Sequence, residues 1–306
     1  MITEYFTFTG HGGKQLPAVL WRPEGYTNAV LQLTHGMTEH MGCYESLAAY
    51  LCPLGVAVAG FDLRGHGKNE GDRKVATFGE GGWDASIQDM KCFFDLLQNR
   101  FPQARLYLHG FSLGSFLLRE YLGQYSQSVS GAIIMGTGHQ PGWLLRGMMA
   151  IVRRQIKKEG FNGYSPLVRM MSFGFYNLKF KNPRTEKDWL CSDEKQLADF
   201  MADPLSRENF SAGLFCQMLG AMERQGNDNA FDNWNKDIPI LLLYGEMDPV
   251  GDFGKGVEAF HDRMKKAGIR NITSHGFPGA RHQILREEAC GAAENARQII
   301  ADWLMG

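Results

Sequence analysis

The chain of 306 residues lacks long apolar runs, and its first five residues lack the basic start and apolar stretch of a secretion signal. Without an apolar run of about twenty residues, no segment is a candidate for a membrane-spanning helix. Without a basic and then apolar start, no secretory leader is predicted. The sequence therefore predicts a cytoplasmic protein.

An excess of one charge is also lacking. Lys and Arg total 32 against 33 for Asp and Glu, which gives a formal net charge of -1. This balance gives no electrostatic argument for a nucleic-acid partner and favours a small, uncharged substrate. The sequence also has no G-x-x-x-x-G-K-S/T run, so no phosphate-binding P-loop is predicted.

Cysteine and metal-ligand patterns are sparse. The six cysteines show no C-x-x-C spacing, so we predict reduced thiols and no disulfide framework. The run from His35 to His40 has one residue too many for an H-x-x-E-H zinc motif, and its glycine follows a strand-like segment. We therefore expect neither a metal nor a cofactor.

The chain does contain short apolar runs that alternate with helix-like segments. An antiparallel hairpin is predicted on both sides of residues 10–13, which we interpret as a turn. Strands of a parallel sheet with both faces covered are then predicted, because strands alternating with helices are typical of α/β proteins. These strand-like runs are 29–33, 56–61, 106–108, 132–135 and 240–244.

The alternation stops for about a hundred residues between Met135 and Ile240, where methionines and aromatic residues are frequent. We predict a core made of residues 1–138 and 226–306, with a helical cap, residues 139–225, inserted into it. An insertion after the carboxyl end of a strand would lie above the crevice in which α/β sheets bind ligands. The cap is therefore a candidate lid.

The run Gly110-Phe111-Ser112-Leu113-Gly114 lies between a strand-like and a helix-like segment. A G-x-S-x-G sequence in that context is typical of a nucleophile elbow, a tight turn that presents a serine. The flanking glycines let strand and helix approach without a Cβ clash. We predict that the Ser112 hydroxyl stands clear for attack.

A serine hydroxyl is a poor nucleophile at neutral pH, so it needs a base, and the base needs an acid to orient it. Asp248 lies on a loop just after the run 240–244, and His282 follows the next strand-like run. Both would lie at the edge of the sheet where the strands end. Ser112, Asp248 and His282 therefore form a candidate catalytic triad in a known chain order.

Other acids and histidines compete for these roles. Glu246 and Asp252 also lie near the end of that strand, but Asp248 is better placed within the loop. His275 lies inside a strand-like run, and His66 follows an earlier strand. Neither histidine follows the last strand, so His282 is preferred as the base.

Hydrolysis through a serine needs backbone N–H donors for the oxyanion of the tetrahedral intermediate. The residue after the nucleophile, Leu113, supplies one donor. The turn His35-Gly36-Met37 follows an early strand and makes the Met37 amide the second candidate donor.

Five segments together resemble the monoacylglycerol lipase and lysophospholipase branch of the α/β-hydrolase superfamily. They are residues 35–44, 62–67, 110–114, 248–251 and 279–282. The resemblance covers nearly the whole core, and the H-G-x-x-E-H-x-x-x-Y block is fairly specific to that branch. It implies an α/β-hydrolase fold with a mostly parallel eight-stranded sheet, and a serine esterase that cleaves lipophilic esters such as monoacylglycerols or lysophospholipids.

The chain departs from this branch around its substrate pocket. The branch usually carries His and Met beside the serine and a basic residue before the tyrosine, whereas this chain has Phe111, Leu113 and Cys43. The departures leave the triad intact and weaken the inference about substrate. Candidate pocket residues are His35, Phe111, Met148, Met149 and Phe173.

Three alternatives stay open. The chain can be a proline-iminopeptidase-like aminopeptidase, with Glu186 or Asp193 holding a substrate amine, or a general esterase for small esters. A catalytically silent binding module is the third.

Four basic cap residues lie on one side of a predicted helix, beside Met149, Ile151 and Val152. They are Arg153, Arg154, Lys157 and Lys158. They form either a solvated face or a weak peripheral contact with an anionic membrane. Oligomeric state is not predicted.

Overall fold

The fold is a mixed sheet flanked by helices, seen in a computed structural model that describes residues 1–69 and 74–306. Strands β1 to β10 span Ile2–Thr9, Gln15–Arg22, Ala29–Thr34, Val56–Phe61, Val75–Ala76, Arg105–Phe111, Gly131–Met135, Asn209–Phe210, Ile240–Gly245 and Ile272–Phe277. Helices α1 to α9 span Glu45–Leu51, Gly82–Arg100, Leu113–Tyr125, Gly142–Glu159, Pro166–Phe173, Glu194–Ala202, Ala212–Gln225, Lys255–Lys266 and Ala292–Met305.

Eight strands form one sheet in the order β1-β2-β4-β3-β6-β7-β9-β10. The opening hairpin β1–β2 is antiparallel and joins β4 antiparallel, while the other neighbours pair in parallel. This confirms the predicted α/β class and the eight-stranded, mostly parallel sheet. Because parallel strands point the same way, the loops after β3, β6, β9 and β10 all emerge at one edge.

Helices cover both faces of the sheet, and successive residues of β6 show the two faces. Leu106 and Leu108 belong to the apolar cluster that includes buried residues of α2, α3 and α8. Tyr107 and Phe111 belong to the cluster that includes residues of α1 and α9. The central strands are buried throughout, which explains why they read as continuous apolar runs in the sequence.

Helices α4 to α7 lie between β7 and β9, inside the segment predicted to be a cap. Helices α4 and α7 bury residues in the same apolar cluster as α2 and α3, so this segment is packed firmly on the sheet's helices. The sequence did not predict β5 and β8, which pair in parallel and join the segment to the core. Within the two described ranges, no helix is both long and apolar enough to cross a bilayer.

Candidate active site

The turn between β6 and α3 holds Ser112 in a strained conformation. Its φ of 51° and ψ of -116° lie in a region that residues with a side chain rarely adopt. A Cβ on Gly110 would lie 2.4 Å from the carbonyl oxygen of Gly114, and a Cβ on Gly114 would lie 2.2 Å from that of Thr34. Both glycines are therefore required for the close approach of β6, α3 and the end of β3.

His282 and Asp248 meet at the carboxyl edge of the sheet, on the loops after β10 and β9. His282 Nδ1 donates to Asp248 Oδ2 at 2.8 Å, and both side chains are buried. Asp248 Oδ1 accepts a second hydrogen bond from the Val250 amide at 2.8 Å, which fixes the carboxylate. With the proton on Nδ1, the other ring nitrogen of His282 is left as a base.

The predicted nucleophile and base line one cavity of about 320 Å³, a volume typical of small-molecule sites. Its floor comes from the loops after β3, β6 and β10, and the rest of its wall comes from residues between α5 and β8. The lining residues are Met37, Thr38, Glu39, Phe111, Ser112, Pro166, Arg169, Met170, Phe173, Gly174, Asn177, Glu186, Lys187, Trp189, Leu190, Phe200, Glu208, Phe210, His282 and Gln283. The apolar residues in this wall suit an acyl chain.

Charged side chains are grouped in the part of the wall between α5 and β8. Arg169 pairs with Glu186. Burial, and then the nearby charge of Arg169, lowers the pKa of Lys187, whose Nζ lies 5.6 Å from the Phe200 ring centre. The cavity therefore offers polar groups to a substrate headgroup as well as apolar walls.

The predicted oxyanion donors lie on two adjacent loops. Leu113 opens α3 immediately after Ser112, and Met37 lines the cavity on the loop after β3. The tight contact between Gly114 and the end of β3 brings these two loops together. This arrangement suits a pair of N–H groups that point at one oxygen.

Glu39 ties the loop after β3 to the loop that carries His282, a role the sequence prediction missed. Its buried carboxylate accepts from the Gly36 amide at 2.9 Å and from the Tyr44 hydroxyl at 2.7 Å. It also accepts from Gln283 Nε2 at 2.7 Å. The sequence could have pointed to Glu39 through its position in the H-G-x-x-E-H block, two residues after the predicted oxyanion donor Met37.

The five predicted pocket residues divide into two groups. Phe111 and Phe173 line the cavity, whereas His35, Met148 and Met149 are absent from its wall. His35 is fully buried beneath the site, where Nδ1 donates to the Gly36 carbonyl and Nε2 accepts from the Leu63 amide. Met149 is buried in the apolar core, and Met148 packs against it. These three assignments are corrected: α4 directs Met148 and Met149 toward the core, and both ring nitrogens of His35 are taken up by backbone hydrogen bonds.

The competing acids and histidines lie elsewhere. Glu246 and Asp252 are exposed, and His275 lies within β10. His66 is buried, with Nδ1 donating to the Arg64 carbonyl at 2.8 Å. None of the four lines the cavity.

One cluster in the described part of the chain has a donor set that could hold a metal ion, formed by His40, Cys43 and Asp203. His40 Nδ1 accepts from the Gly42 amide, so the ring proton lies on Nε2, which donates to Asp203 Oδ2 at 2.7 Å. The hydrogen bond between His40 and Asp203 links the loop after β3 to the segment before β8.

The sheet order, the strained serine after β6 and the Asp–His pair after β9 and β10 define an α/β-hydrolase. The model of the family described as serine aminopeptidase, S33, matches residues 25–289. Human monoglyceride lipase is 33% identical over 284 residues, which cover 90% of this chain and 82% of that protein. A monoacylglycerol lipase from Mycolicibacterium smegmatis is 22% identical over 291 residues, 92% of this chain and 90% of that protein.

Solved structures show the same fold. A thermostable carboxyl esterase from Bacillus coagulans has a TM-score of 0.87 at 22% identity, covering 100% of this chain and 99% of that chain. A soluble variant of monoglyceride lipase from Saccharomyces cerevisiae has a TM-score of 0.74 at 20% identity, covering 98% and 94%. The chain belongs to the S33 serine aminopeptidase family of α/β-hydrolases, in its monoacylglycerol lipase branch, and is a carboxylic ester hydrolase. The resemblance seen in the sequence motifs is thereby confirmed.

Proposed function

We propose that this hydrolase works through an acyl-enzyme on Ser112, with His282 as the base and Asp248 as the residue that orients it. The observation that carries the proposal is the 2.8 Å hydrogen bond from His282 to Asp248, in a cavity lined by both His282 and Ser112. Strain at Ser112 and burial of Asp248 support the same assignment.

In this mechanism His282 takes the proton of the Ser112 hydroxyl as its oxygen attacks the ester carbonyl carbon. The amides of Met37 and Leu113 hold the oxyanion that forms. His282 then gives its proton to the leaving alcohol, and an acyl-enzyme remains. Water activated by His282 attacks the acyl carbonyl, which releases the acid and restores the Ser112 hydroxyl.

The proposed substrate is a lipophilic ester of the monoacylglycerol or lysophospholipid type. Aromatic and methionine side chains dominate the apolar part of the cavity wall, among them Met170, Phe173 and Phe210. The flexible methionine side chains and the flat aromatic rings suit an alkyl chain. Two relatives in the comparison are named monoglyceride or monoacylglycerol lipases, which supports the same class of substrate.

The proposed cap is residues 139–225, on a core of residues 1–138 and 226–306. Most of the cavity wall comes from residues 166–210, which supports a cap over the site. We also propose that the cap makes a weak peripheral contact with anionic membranes. Location in the cytoplasm stays a prediction.

The aminopeptidase alternative has one supporting observation, the presence of Glu186 in the cavity wall. That carboxylate already pairs with Arg169. Asp193 accepts from the Gln196 amide at the start of α6 and from the Ala289 amide. Both acids already have partners within the protein, which favours esters.

The test compares the wild type with Ser112→Ala on a p-nitrophenyl acyl ester and on a fluorophosphonate label. We expect Ser112→Ala to lose labelling and to turn over on the order of 10⁶ more slowly. Ser115→Ala is the matched control, because Ser115 lies in the same helix start and its hydroxyl donates to the Ser112 carbonyl. Retention of activity and labelling by Ser112→Ala would reject the mechanism.

A second set of assays addresses the substrate. Monoacylglycerols and lysophospholipids of increasing chain length are compared with small esters and with proline naphthylamide at equal enzyme. A rise of kcat/KM with chain length supports the lipophilic ester. A flat profile points to a general esterase, and preference for the naphthylamide points to the aminopeptidase.

A further inference from the structure

A tryptophan from the proposed cap packs against the imidazole of His282. The ring centres of Trp189 and His282 are 5.2 Å apart with an interplanar angle of 38°. Phe111, from the end of β6, packs on the same imidazole with ring centres 4.8 Å apart. The imidazole is therefore held by one ring from the core and one from the segment between α5 and α6.

Trp189 is itself fixed in place. Its side chain is buried, 5% exposed, between Phe173 and Tyr176, whose ring centres lie 5.0 Å and 4.9 Å from its own. Its amide donates to Asn177 Oδ1 at 2.8 Å. Because both the backbone and the ring are held, the indole presents a rigid surface to His282.

The backbone around Trp189 is joined to the loop that carries His282. The Gln283 amide donates to the Leu190 carbonyl at 2.7 Å, and the His282 amide donates to the Trp189 carbonyl at 3.4 Å. Arg281 Nη1 donates to the Asp188 carbonyl at 2.5 Å. The backbones of the tryptophan and the histidine are therefore joined directly.

A buried carboxylate strengthens this junction. Glu287, fully buried, accepts from the Arg281 amide and from the Ser192 amide, both at 2.9 Å. It also accepts from the Ser192 hydroxyl. Residues 188–192 are therefore hydrogen-bonded at several points to the segment that follows β10.

We propose that Trp189 is a positioning residue for His282. Asp248 fixes one ring nitrogen of the imidazole, and Trp189 together with Phe111 fixes the ring plane, so that Nε2 stays directed into the cavity toward Ser112. The proposal rests on the proposed function, in which His282 is the base. A base displaced by about 1 Å can lose about 10²-fold in rate, which sets the size of the expected effect.

The test compares Trp189→Phe, Trp189→Leu and Trp189→Met on p-nitrophenyl acetate, an ester too short to fill the cavity. We expect the Leu and Met variants to lower kcat by about 10- to 100-fold with KM nearly unchanged, and Phe to restore most of the rate. Trp234→Leu is the matched control, because Trp234 is a similarly buried tryptophan, 3% exposed, that is absent from the cavity wall. It should leave both kcat and KM for p-nitrophenyl acetate unaltered.

A spectroscopic measurement separates positioning from a general loss of structure. The Nδ1 proton of His282, hydrogen-bonded to Asp248, is followed by NMR in the wild type and in the folded variants. Because loss of the indole ring current shifts this signal in any case, the readout is the exchange of the proton with water, which should be faster in the Leu and Met variants than in the Phe variant. The Met variant retains more side-chain volume and replaces the Leu variant if the latter does not fold.

Wild-type kcat and wild-type exchange of the proton in either ring-free variant would overturn the proposal. An equal loss of kcat in the Phe and Leu variants would also overturn it, because a ring would then make no difference. Failure of the proposed function looks different, since Ser112→Ala would keep its activity while exchange of the proton still responded to Trp189.

Discussion

Glu39 links the proposed oxyanion loop to the proposed base loop. It accepts hydrogen bonds from Gly36, next to the Met37 donor, and from Gln283, next to His282. Removing a buried acceptor leaves its donors unpaired, at a cost of about 1–3 kcal/mol for each. We therefore expect Glu39→Ala to lower kcat by about 10²-fold, measured with a p-nitrophenyl ester.

Glu39→Gln gives a sharper version of this prediction. In the described chain, Oε1 of Gln283 has no hydrogen-bond partner, so the Gln283 carboxamide can turn over and accept from a glutamine at position 39. Glu39→Gln should then stay within about tenfold of the wild type. Tyr44→Phe removes a donor at the far end of the loop after β3, next to α1, and serves as the control. An Ala variant as active as the Gln variant would contradict this role for Glu39.

At the scale of single residues, the sequence best predicts where a side chain lies in the fold when the residue directly follows a strand. Ser112, Asp248 and His282 follow strands, and the parallel sheet brings strand ends together at one edge. The surroundings of residues inside the proposed cap are harder to predict, because the direction of a side chain there depends on tertiary packing. Met149 and Phe173 both belong to the segment rich in methionine and aromatic residues, yet only Phe173 lines the cavity.

At the scale of an element, the sequence also failed to predict which apolar residues of helix α4 lie on its surface. Met149 and Val152 were predicted to accompany the basic residues on its surface, but both are buried and only Ile151 is exposed. The exposed apolar side chains are instead Trp143, Leu144 and Ile151 on α4 with Leu167 and Met170 on α5. The short strands β5 and β8 were not predicted, because a strand of two residues is too short to show an alternating apolar and polar pattern.

The exposed basic residues of α4 lead to a prediction that the protein binds anionic membranes weakly. Arg153, Arg154, Lys157 and Lys158 are all exposed, and each basic residue near an anionic surface contributes about 1 kcal/mol. We expect the protein to sediment with vesicles that contain anionic lipid more than with neutral ones. The difference should shrink at high salt, because ions screen the attraction.

A double variant, Arg153→Glu with Lys157→Glu, should abolish this preference and leave turnover of p-nitrophenyl acetate intact. Reversal of two exposed lysines on the core helix α8, Lys265→Glu with Lys266→Glu, is the matched control. Equal sedimentation with both kinds of vesicle would show that the basic residues form only a solvated face.

In the part of the chain that the structure describes, three fully buried histidines couple the stability of the whole molecule to pH. His35, His66 and His109 are 0% exposed, and burial is the main cause that lowers the pKa of each to about 3. Of the three, His109 also has no hydrogen-bond partner for either ring nitrogen within residues 1–69 and 74–306. The sequence alone did not predict this, because the strand-like run 106–108 ends just before His109, whereas β6 continues to Phe111.

These histidines should make the fold sensitive to acid. In the unfolded chain a histidine takes up a proton below its ordinary pKa of about 6.5, while the buried ring stays neutral down to about 3. The unfolded state therefore binds more protons in this window, and the free energy of unfolding decreases as pH falls from about 6.5 toward 3. Each histidine contributes a slope of up to about 1.4 kcal/mol per pH unit.

Replacement of His109 by leucine isolates one of these contributions from the titrating carboxylates. Because leucine binds no proton in either state, the stability of His109→Leu relative to the wild type should be constant between pH 7 and 8. It should then rise by up to about 1.4 kcal/mol per pH unit as the pH falls below about 6.5. Urea denaturation of both proteins at pH 8, 7, 6 and 5 measures this difference. A difference that stays constant at all four values would mean that His109 takes up its proton as readily in the fold as in the unfolded chain, and that burial does not keep the ring neutral.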